Sequence, residues 1–515
     1  MEISTYLPFL ILLLLGLSFV GNSLEQINGG LFPDGFLFGT ASSSYQFEGA
    51  ILEDGKSLSN WDIFSHKPGN IKSGENGDIA DDQYHLYMDD IELMHSLGVN
   101  SYRFSISWAR ILPEVVLDPS EFCQTEGINL QFSDGNSTTG IQPFVTLNHY
   151  DIPQVLEDRY GSWQSSQMQE EFVYFAEICF RELGDRVKLW ATFNEPNVVA
   201  KYGYLMGTYP PGRCSAPFGN CSDGNSEIEP FVAAHNIILS HAKAVYNYRK
   251  HYQSKQGGHI GIAVHAVMYE PLKEEEADQK AAERALAFFV AWFLDPFFHG
   301  DYPSEMRRIL GHRLPIFSSE ESKKLKHGLD FIGVNHYTVL YAKDCMYSPC
   351  DSGGHLIEGF VQSTGERDGV PIGERTSIPT FFIVPNGMEK MIKYLVTRYN
   401  NTTMFVTENG FAQLDQPGDS GSELLNDFKR VEYHKSYLAS LQRAIREGAD
   451  VRGYFVWSLL DNFEWRYGFT RRFGLYYVDY RTLMRTPKFS ATWYKEFLAN
   501  YSITNEEAIK WNSSK

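Results

Sequence analysis

The sequence predicts a single (β/α)8 TIM barrel. Short apolar runs alternate with amphipathic helical patterns, eight such runs can be counted, and nearly every run ends in a polar or aromatic residue. In a barrel of parallel strands these ends meet at one face, where catalytic residues collect. An open doubly wound sheet is the alternative, but no Gly-x-Gly-x-x-Gly turn follows the first run. The 515 residues, 43% of them hydrophobic, allow one domain over 24–515.

The predicted strands and helices alternate over most of the chain. The strands are Phe36–Thr40, Ser101–Ile106, Gln142–Leu147, Leu189–Phe193, Ile260–Ala266, Phe331–Asn335, Met404–Thr407 and Gly453–Ser458. The helices are Tyr84–Leu97, Glu170–Leu183, Phe231–Tyr248, Ala281–Phe293, Gly387–Tyr399 and Asp427–Glu447. Gly/Ser/Asp-rich stretches between them indicate surface loops and no linker between domains.

The formal charge of -19 disfavours nucleic acid or an anionic membrane as partner, because phosphate binding needs clustered Lys and Arg. A neutral small molecule fits better. No cysteine or histidine spacing typical of a metal site is present, and we expect neither a metal nor another cofactor. The sequence does not predict the oligomeric state.

The N-terminus predicts a signal peptide over residues 1–23. Leu7–Val20 is one apolar run, too short for a comfortable membrane span, and small residues follow at Gly21 and Ser23. Glu2 and the lack of Lys or Arg before the run leave a buried N-terminal strand as the alternative. We expect entry into the secretory pathway and an extracellular or vacuolar location without a membrane anchor. Candidate N-glycosylation sites are Asn136, Asn220, Asn400, Asn401, Asn500 and Asn512.

Four of the six cysteines form two closely spaced pairs. Cys214 and Cys221 flank one Gly/Pro/Ser-rich stretch, and Cys345 and Cys350 flank another. In an oxidising compartment these pairs predict two small-loop disulfides, while four free thiols are the alternative. Cys179 lies in an apolar helical pattern, which favours a buried thiol.

Two glutamates end the fourth and seventh predicted strands. Thr192-Phe193-Asn194-Glu195-Pro196 ends the fourth, where the proline stops the strand, and Thr407-Glu408-Asn409-Gly410 ends the seventh. Cleavage of a glycosidic bond with retention needs two carboxyl groups about 5 Å apart, one to attack the anomeric carbon and one to protonate the leaving oxygen. Strand-end glutamates facing one barrel mouth would serve both roles.

These motifs resemble those of family 1 glycoside hydrolases, and the surrounding sequence is similar to plant β-glucosidases from Phe32 to Asn500. Further matching stretches are 38–41, 46–49, 102–108, Asn335-His336-Tyr337 and 457–465. The resemblance implies that Glu408 is the nucleophile, that Glu195 is the acid/base and that Asn194 binds the sugar 2-hydroxyl. It also implies that Arg103 and Tyr337 keep Glu408 ionised and oriented, while proximity to that charge keeps Glu195 protonated.

The resemblance further implies a complete sugar-binding set. Its members are Gln46, His149, Asn194, Tyr337, Trp457, Glu464, Trp465 and Phe473, the last on the rim 469–474. Taken singly, the two tryptophans would more often be core residues and His149 a satisfied core histidine.

The implied activity is that of a retaining β-glucosidase. We expect it to release terminal non-reducing β-D-glucosyl residues from small aryl or phenolic O-glucosides through a covalent glucosyl-enzyme. Galactose or fucose as the sugar, transglucosylation, and a catalytically defective or merely sugar-binding member remain alternatives.

The sequence departs from the family pattern in two places. Many family members carry tryptophan at the position of Tyr150. More serious is the segment 114–140, which carries turn signals and no 3.6-residue apolar period where the family has the helix after strand two. We expect this outer helix to be missing or altered, as a retained intron or wrong exon choice would produce. The alternative is an irregular cover with Cys123 as an unpaired or buried thiol.

Overall fold

The computed structural model describes residues 32–113, 140–350, 353–415 and 421–513. Within them eight parallel strands close into a barrel in which each strand pairs with its neighbours in sequence. The strands are β1 (Leu37–Ala41), β2 (Ser101–Ser105), β3 (Gln142–Asn148), β4 (Leu189–Asn194), β5 (His259–His265), β6 (Phe331–Asn335), β7 (Met404–Asn409) and β8 (Val451–Trp457). The ring closes between β1 and β8, where Leu37 lies opposite Gly453. The predicted TIM barrel is confirmed, with strand ends shifted by at most two residues.

The longer helices, apart from the last one, lie at or close to their predicted positions. They are α1 (Gln83–Leu97), α2 (Gln167–Leu183), α3 (Glu229–His251), α4 (Glu276–Leu286), α5 (Trp292–His299), α6 (Asn386–Arg398), α7 (Phe428–Arg446) and α8 (Phe489–Ser513). The single helix predicted over 281–293 is a composite, because a π-helical segment (Ala287–Ala291) joins α4 to α5. A second π-helical segment (Val199–Leu205) follows β4 through the short helix Pro196–Val198.

Four phenylalanines fill the interior of the barrel. Phe144 of β3 makes edge-to-face contacts with rings from the opposite side, Phe331 at 5.3 Å, Phe405 at 5.5 Å and Phe455 at 5.4 Å between ring centroids. Gly39 on β1 leaves room for this packing, since a Cβ there would lie 2.4 Å from the Phe455 ring. The filled interior gives the strand ends a rigid support.

The largest elements that were not predicted are a small sheet and a long helix near the C-terminus. A three-stranded sheet (Met268–Pro271, Val339–Asp344, Val361–Thr364) extends the loops after β5 and β6 above the barrel. Its strands of four to six residues are too short to give a clear periodic signal. The other is α8, which packs against the barrel near β1 through aromatic contacts such as Phe497 with Phe38 at 5.5 Å.

Two disulfides join the predicted pairs. Cys214 bonds to Cys221 and Cys345 to Cys350, with S–S distances of 2.10 and 1.93 Å. The alternative of four free thiols is therefore wrong, and Cys179 is a buried thiol on α2 as expected.

Two predictions fall outside the described residues, namely the signal peptide and the altered segment 114–139. In the described part, no helix is long and apolar enough to cross a membrane. Among these same residues, no group of three His, Cys, Asp or Glu side chains is arranged to hold a metal ion.

Candidate active site

Both predicted catalytic glutamates lie at the C-terminal ends of barrel strands. Glu195 directly follows β4, and Glu408 is the last residue but one of β7. The register of β4 against β5 shifts just before Asn194, and that of β7 against β6 shifts just before Glu408. Such irregularities re-aim side chains next to functional sites. Glu195 has a left-handed φ of 43°, and a helix starts immediately after it at Pro196. This backbone conformation costs about 1–3 kcal/mol, which the surrounding structure has to offset.

The carboxylate of Glu408 is held at both oxygens. Arg103, fully buried on β2, donates from Nη1 to Oε1 at 2.7 Å. The hydroxyl of Tyr337 donates to Oε2 at 2.7 Å. A cation at one oxygen and a phenol at the other leave the carboxylate little freedom to rotate, which is the arrangement that a nucleophile needs.

An amide network connects this carboxylate to the other one. Nη2 of Arg103 donates to Oδ1 of Asn194 at 2.6 Å, and Nδ2 of Asn335 donates to the same oxygen at 2.9 Å. The Asn335 amide also donates to Oε1 of Glu195 at 2.8 Å. Thr407 fixes Asn335 in turn, by donating to its Oδ1 at 2.6 Å. Glu408, Arg103, Asn194, Asn335 and Glu195 thus form one continuous hydrogen-bonded chain across the barrel mouth.

Glu195 has two further partners that sequence analysis did not assign. The hydroxyl of Tyr150 donates to its Oε2 in a short hydrogen bond. Nδ1 of His265, the last residue of β5, lies 3.0 Å from its Oε1. The side chain of Asn197 brackets the backbone of His265, accepting from its N–H at 3.2 Å and donating to its carbonyl at 2.8 Å. Glu195 is therefore positioned by a side chain that follows β3 and by side chains at the ends of β5 and β6.

Burial and the neighbouring groups act in different ways on the two glutamates. Burial and the charge of Glu195 raise the pKa of Glu408 to about 7 against the lowering effect of Arg103. Burial acts in the same direction on Glu195, but His265 and the hydrogen bonds from Tyr150 and Asn335 outweigh it, so the pKa of Glu195 is held below its usual value. The proton expected on Glu195 stays a prediction. The expectation omitted Tyr150 and His265, which both stabilise the charged form of Glu195.

The glutamates face one cavity of about 320 Å³, a volume at the small end of the range typical of ligand sites. Eight predicted site residues line it, namely His149, Glu195, Tyr337, Glu408, Trp457, Glu464, Trp465 and Phe473. The ring of His149 lies nearly parallel to those of Trp457 and Trp465, with centroids 5.7 and 6.0 Å away. Burial holds the pKa of His149 well below its usual value, so the imidazole is neutral.

The other predicted residues lie behind the cavity wall. Gln46, Arg103 and Asn194 are all almost completely buried. The amide nitrogen of Gln46 donates to the carbonyl of Phe463 and to Oδ1 of Asn462, both at 2.9 Å, and reaches the carboxylate of Glu464 at 3.5 Å. Burial and the charges of Glu408 and Glu195 raise the pKa of Glu464 to about 8.

Aromatic side chains form the outer part of the cavity. The aromatic residues include Tyr202, Tyr209 and Phe381. Two aliphatic residues, Met206 and Ile378, line the same part. Phe381 stacks on Tyr337 at 5.0 Å and on His265 at 6.0 Å, which links the outer wall to the glutamates. His265 could have been found from the sequence, because it lies at the C-terminal end of a predicted strand.

The chain is similar to known proteins over most of its length. The family profile described as "Glycosyl hydrolase family 1" matches residues 29–502. Similar proteins include "Probable inactive beta-glucosidase 14" from Oryza sativa subsp. japonica, which is 55% identical over 482 residues and covers 93% of this chain and 92% of its own length. "Coniferin beta-glucosidase" from Pinus contorta is 50% identical over 504 residues, with 97% of both chains covered.

Solved structures agree with these matches. The crystal structure of the rice Os3BGlu6 β-glucosidase has a TM-score of 0.87 at 45% identity, with 91% of this chain and 98% of that chain covered. A mutant of the same enzyme, in a covalent complex with Glc from GA4GE, has a TM-score of 0.86 at the same identity and coverage. The matched region contains both glutamates and all eight barrel strands.

Proposed function

The chain belongs to glycosyl hydrolase family 1, and on that premise we propose that it is a retaining β-glucosidase acting on small aryl or phenolic O-glucosides. The predicted family and the glycosidase class are confirmed by the match over residues 29–502 and by the relatives. The substrate and the mechanism are our proposal. One observation supports it most directly. Both oxygens of the Glu408 carboxylate accept hydrogen bonds, and Glu195 lines the same cavity.

In the first step Glu408 attacks the anomeric carbon of the glucosyl residue. The bond from that carbon to the aglycone oxygen breaks, and Glu195 gives its proton to the departing oxygen. Arg103 and Tyr337 hold the nucleophile in line, and the Asn194 amide is the donor for the 2-hydroxyl. The covalent complex with Glc seen for the rice relative supports an intermediate of this kind.

In the second step water attacks the anomeric carbon of the glucosyl-enzyme. Glu195, now a carboxylate, accepts the proton of the water, and Glu408 leaves. Two inversions give net retention. Tyr150 and His265 favour the charged form of Glu195, which is the form from which this step starts.

The aromatic outer wall supports an aryl aglycone. Rings of Tyr202, Tyr209 and Phe381 offer flat apolar surfaces on which another ring can stack. An alcohol bound there in place of water would accept the glucosyl group, so transglucosylation uses the same residues.

A sugar-binding protein without turnover is the second candidate function. The name of the 55% identical rice relative, "Probable inactive beta-glucosidase 14", favours it. The intact contacts of both glutamates favour catalysis instead.

We also propose that the mature protein is secreted or vacuolar and glycosylated, with residues 1–23 removed. Two disulfides fit an oxidising compartment.

The proposal is tested with the secreted protein and its Glu408→Gln variant, with 4-nitrophenyl β-D-glucoside as substrate. We expect turnover by the wild type only, because the amide that replaces the carboxylate cannot attack. Proton NMR of the first product should show β-glucose before mutarotation. Glu320→Gln, an exposed substitution on the helix Ser319–Leu325, is the control and should keep full activity.

Three outcomes would contradict the proposal. Full turnover by a folded Glu408→Gln variant would exclude the assigned nucleophile. α-Glucose as first product would exclude retention. A wild-type protein that unfolds cooperatively and binds glucose, yet turns over no aryl glucoside, would establish the sugar-binding candidate instead.

A further inference from the structure

A second cavity of about 350 Å³ lies beside the catalytic one. The π-helical segment Val199–Leu205 contributes to both, because Lys201 lines the second cavity and Tyr202 the first. Thr380 lines both cavities as well. The second cavity is therefore adjacent to the outer part of the catalytic pocket, but neither catalytic glutamate is among the residues that line it.

The walls of the second cavity are mainly apolar. Phe231 of α3, Trp292 of α5 and Phe288 of the π-helical segment between α4 and α5 are almost completely buried around it. Leu340 of the unpredicted three-stranded sheet forms part of the opposite wall. These side chains come from regular elements that the fold holds in place, so the space is built into the structure. Its volume and its aromatic lining suit a molecule of one or two fused rings.

The cavity also contains a cation without a partner. In the described part of the chain, the ammonium group of Lys201 makes no hydrogen bond and no ion pair within 4.0 Å. Its Nζ lies over the ring of Phe289, 5.6 Å from the ring centroid. Burial lowers the pKa of Lys201, although the residue as a whole stays partly exposed. A ligand carboxylate would supply the missing partner.

Glu358 is the carboxylate whose charge reaches Lys201. It lines the same cavity and also forms no ion pair within the described residues. Its charge opposes an anionic ligand, so binding near Lys201 should become tighter when Glu358 is neutralised. Neutralising Lys201 should therefore weaken the binding of an anion in this cavity, and neutralising Glu358 should strengthen it.

We propose that the second cavity binds a small aromatic carboxylic acid, with the rings between the apolar walls and the carboxylate on Lys201. The site is separate from the glucose pocket and can be filled at the same time. It does not depend on the catalytic roles of Glu195 and Glu408.

The experiment uses 2-naphthoate as the probe and isothermal titration calorimetry as the readout. The full-length secreted protein is first saturated with 1-deoxynojirimycin, a glucose-shaped inhibitor, so that the catalytic pocket is filled. We expect one molecule of 2-naphthoate to bind, about tenfold or more tightly than its neutral isostere 2-naphthamide. This preference is measured on the wild type and needs no variant to fold.

Three variants locate the site. Lys201→Met should remove the preference for the acid over the amide, and Glu358→Gln should strengthen binding of the acid. Lys280→Met, an exposed substitution on α4, should change neither value. The proposal is overturned if the acid and the amide bind equally, if the inhibitor abolishes binding, or if Lys201→Met keeps the full preference. Because the readout is binding, loss of turnover alone would contradict the proposed function and leave this inference standing.

Discussion

Replacement of Tyr150 by phenylalanine should shift the alkaline limb of the pH–rate profile upward. The Tyr150 phenol keeps its proton, because burial and the charge of Glu195 hold its pKa well above the usual value, and it donates that proton to Oε2 of Glu195. This hydrogen bond stabilises the ionised form of Glu195 more than the protonated form, and the variant lacks it. The pKa of Glu195 therefore rises in the variant.

The size of the shift follows from the contacts that remain. A hydrogen bond to a charged group contributes about 1.5–3 kcal/mol, and each pKa unit corresponds to about 1.4 kcal/mol. The phenol can also accept a hydrogen bond from the protonated acid, so part of the interaction is common to both states. We expect a shift of about one unit. The phenylalanine ring keeps its packing against Trp465, because in the wild type the centroids of the Tyr150 and Trp465 rings lie 4.8 Å apart.

The assay is kcat/KM for 4-nitrophenyl β-D-glucoside between pH 4 and 9. In the proposed first step Glu195 must be protonated while Glu408 is ionised, so the alkaline limb reports the loss of the last proton of this coupled pair. Tyr209→Phe is the matched control, since this tyrosine lines the same cavity and its hydroxyl makes no hydrogen bond in the described part of the chain. With 2,4-dinitrophenyl β-D-glucoside the leaving phenolate needs no proton, and the two profiles should coincide. An alkaline limb that stays in place, or moves to lower pH, would refute the reasoning.

Two further predictions concern stability. The pKa of Glu464 is raised from 4.5 to about 8, so its contribution to the free energy of unfolding is present below about pH 4.5 and is lost as the pH rises towards 8. Between pH 5 and pH 8, the free energy of unfolding in urea should fall less for Glu464→Gln than for the wild type. An equal fall in both proteins would contradict the assigned burial. Replacement of both Cys214 and Cys221 by alanine should lower the free energy of unfolding by about 2 kcal/mol, because the disulfide closes a short loop. Urea unfolding of the double variant checks this, and an unchanged midpoint, with the Cys345–Cys350 disulfide intact in both proteins, would exclude a stabilising role.

The barrel could be predicted because its strands are buried on both faces. Such strands are short continuous apolar runs, as in Phe331–Asn335, whose observed bounds equal the predicted ones. Helices packed on one side show the 3.6-residue period, and α2 was predicted to within three residues. The three-stranded sheet escaped prediction because its strands are held by pairing between distant loops, which no local pattern records.

The candidate site was predictable to the extent that its residues follow strand ends. Glu195 and Tyr337 do, Glu408 lies one residue before the end of its strand, and parallel strands bring their ends to one face. Tyr150 was noticed only as a departure from tryptophan. Its contact with Glu195 depends on how the residues after β3 and β4 turn towards each other, with φ values of 76° and 43°.

The sequence by itself determined the number and order of the strands, the family and the identity of the two glutamates, because these depend on apolar runs and motifs that are local in the chain. Only the tertiary structure decided which groups act on the pKa of each glutamate, since Arg103, His265 and Tyr150 reach the two carboxyl groups from three different strands or strand ends. The second cavity with Lys201 is likewise a product of packing between helices and a sheet far apart in sequence. Burial and charge act through space, and the folded chain alone determines those distances.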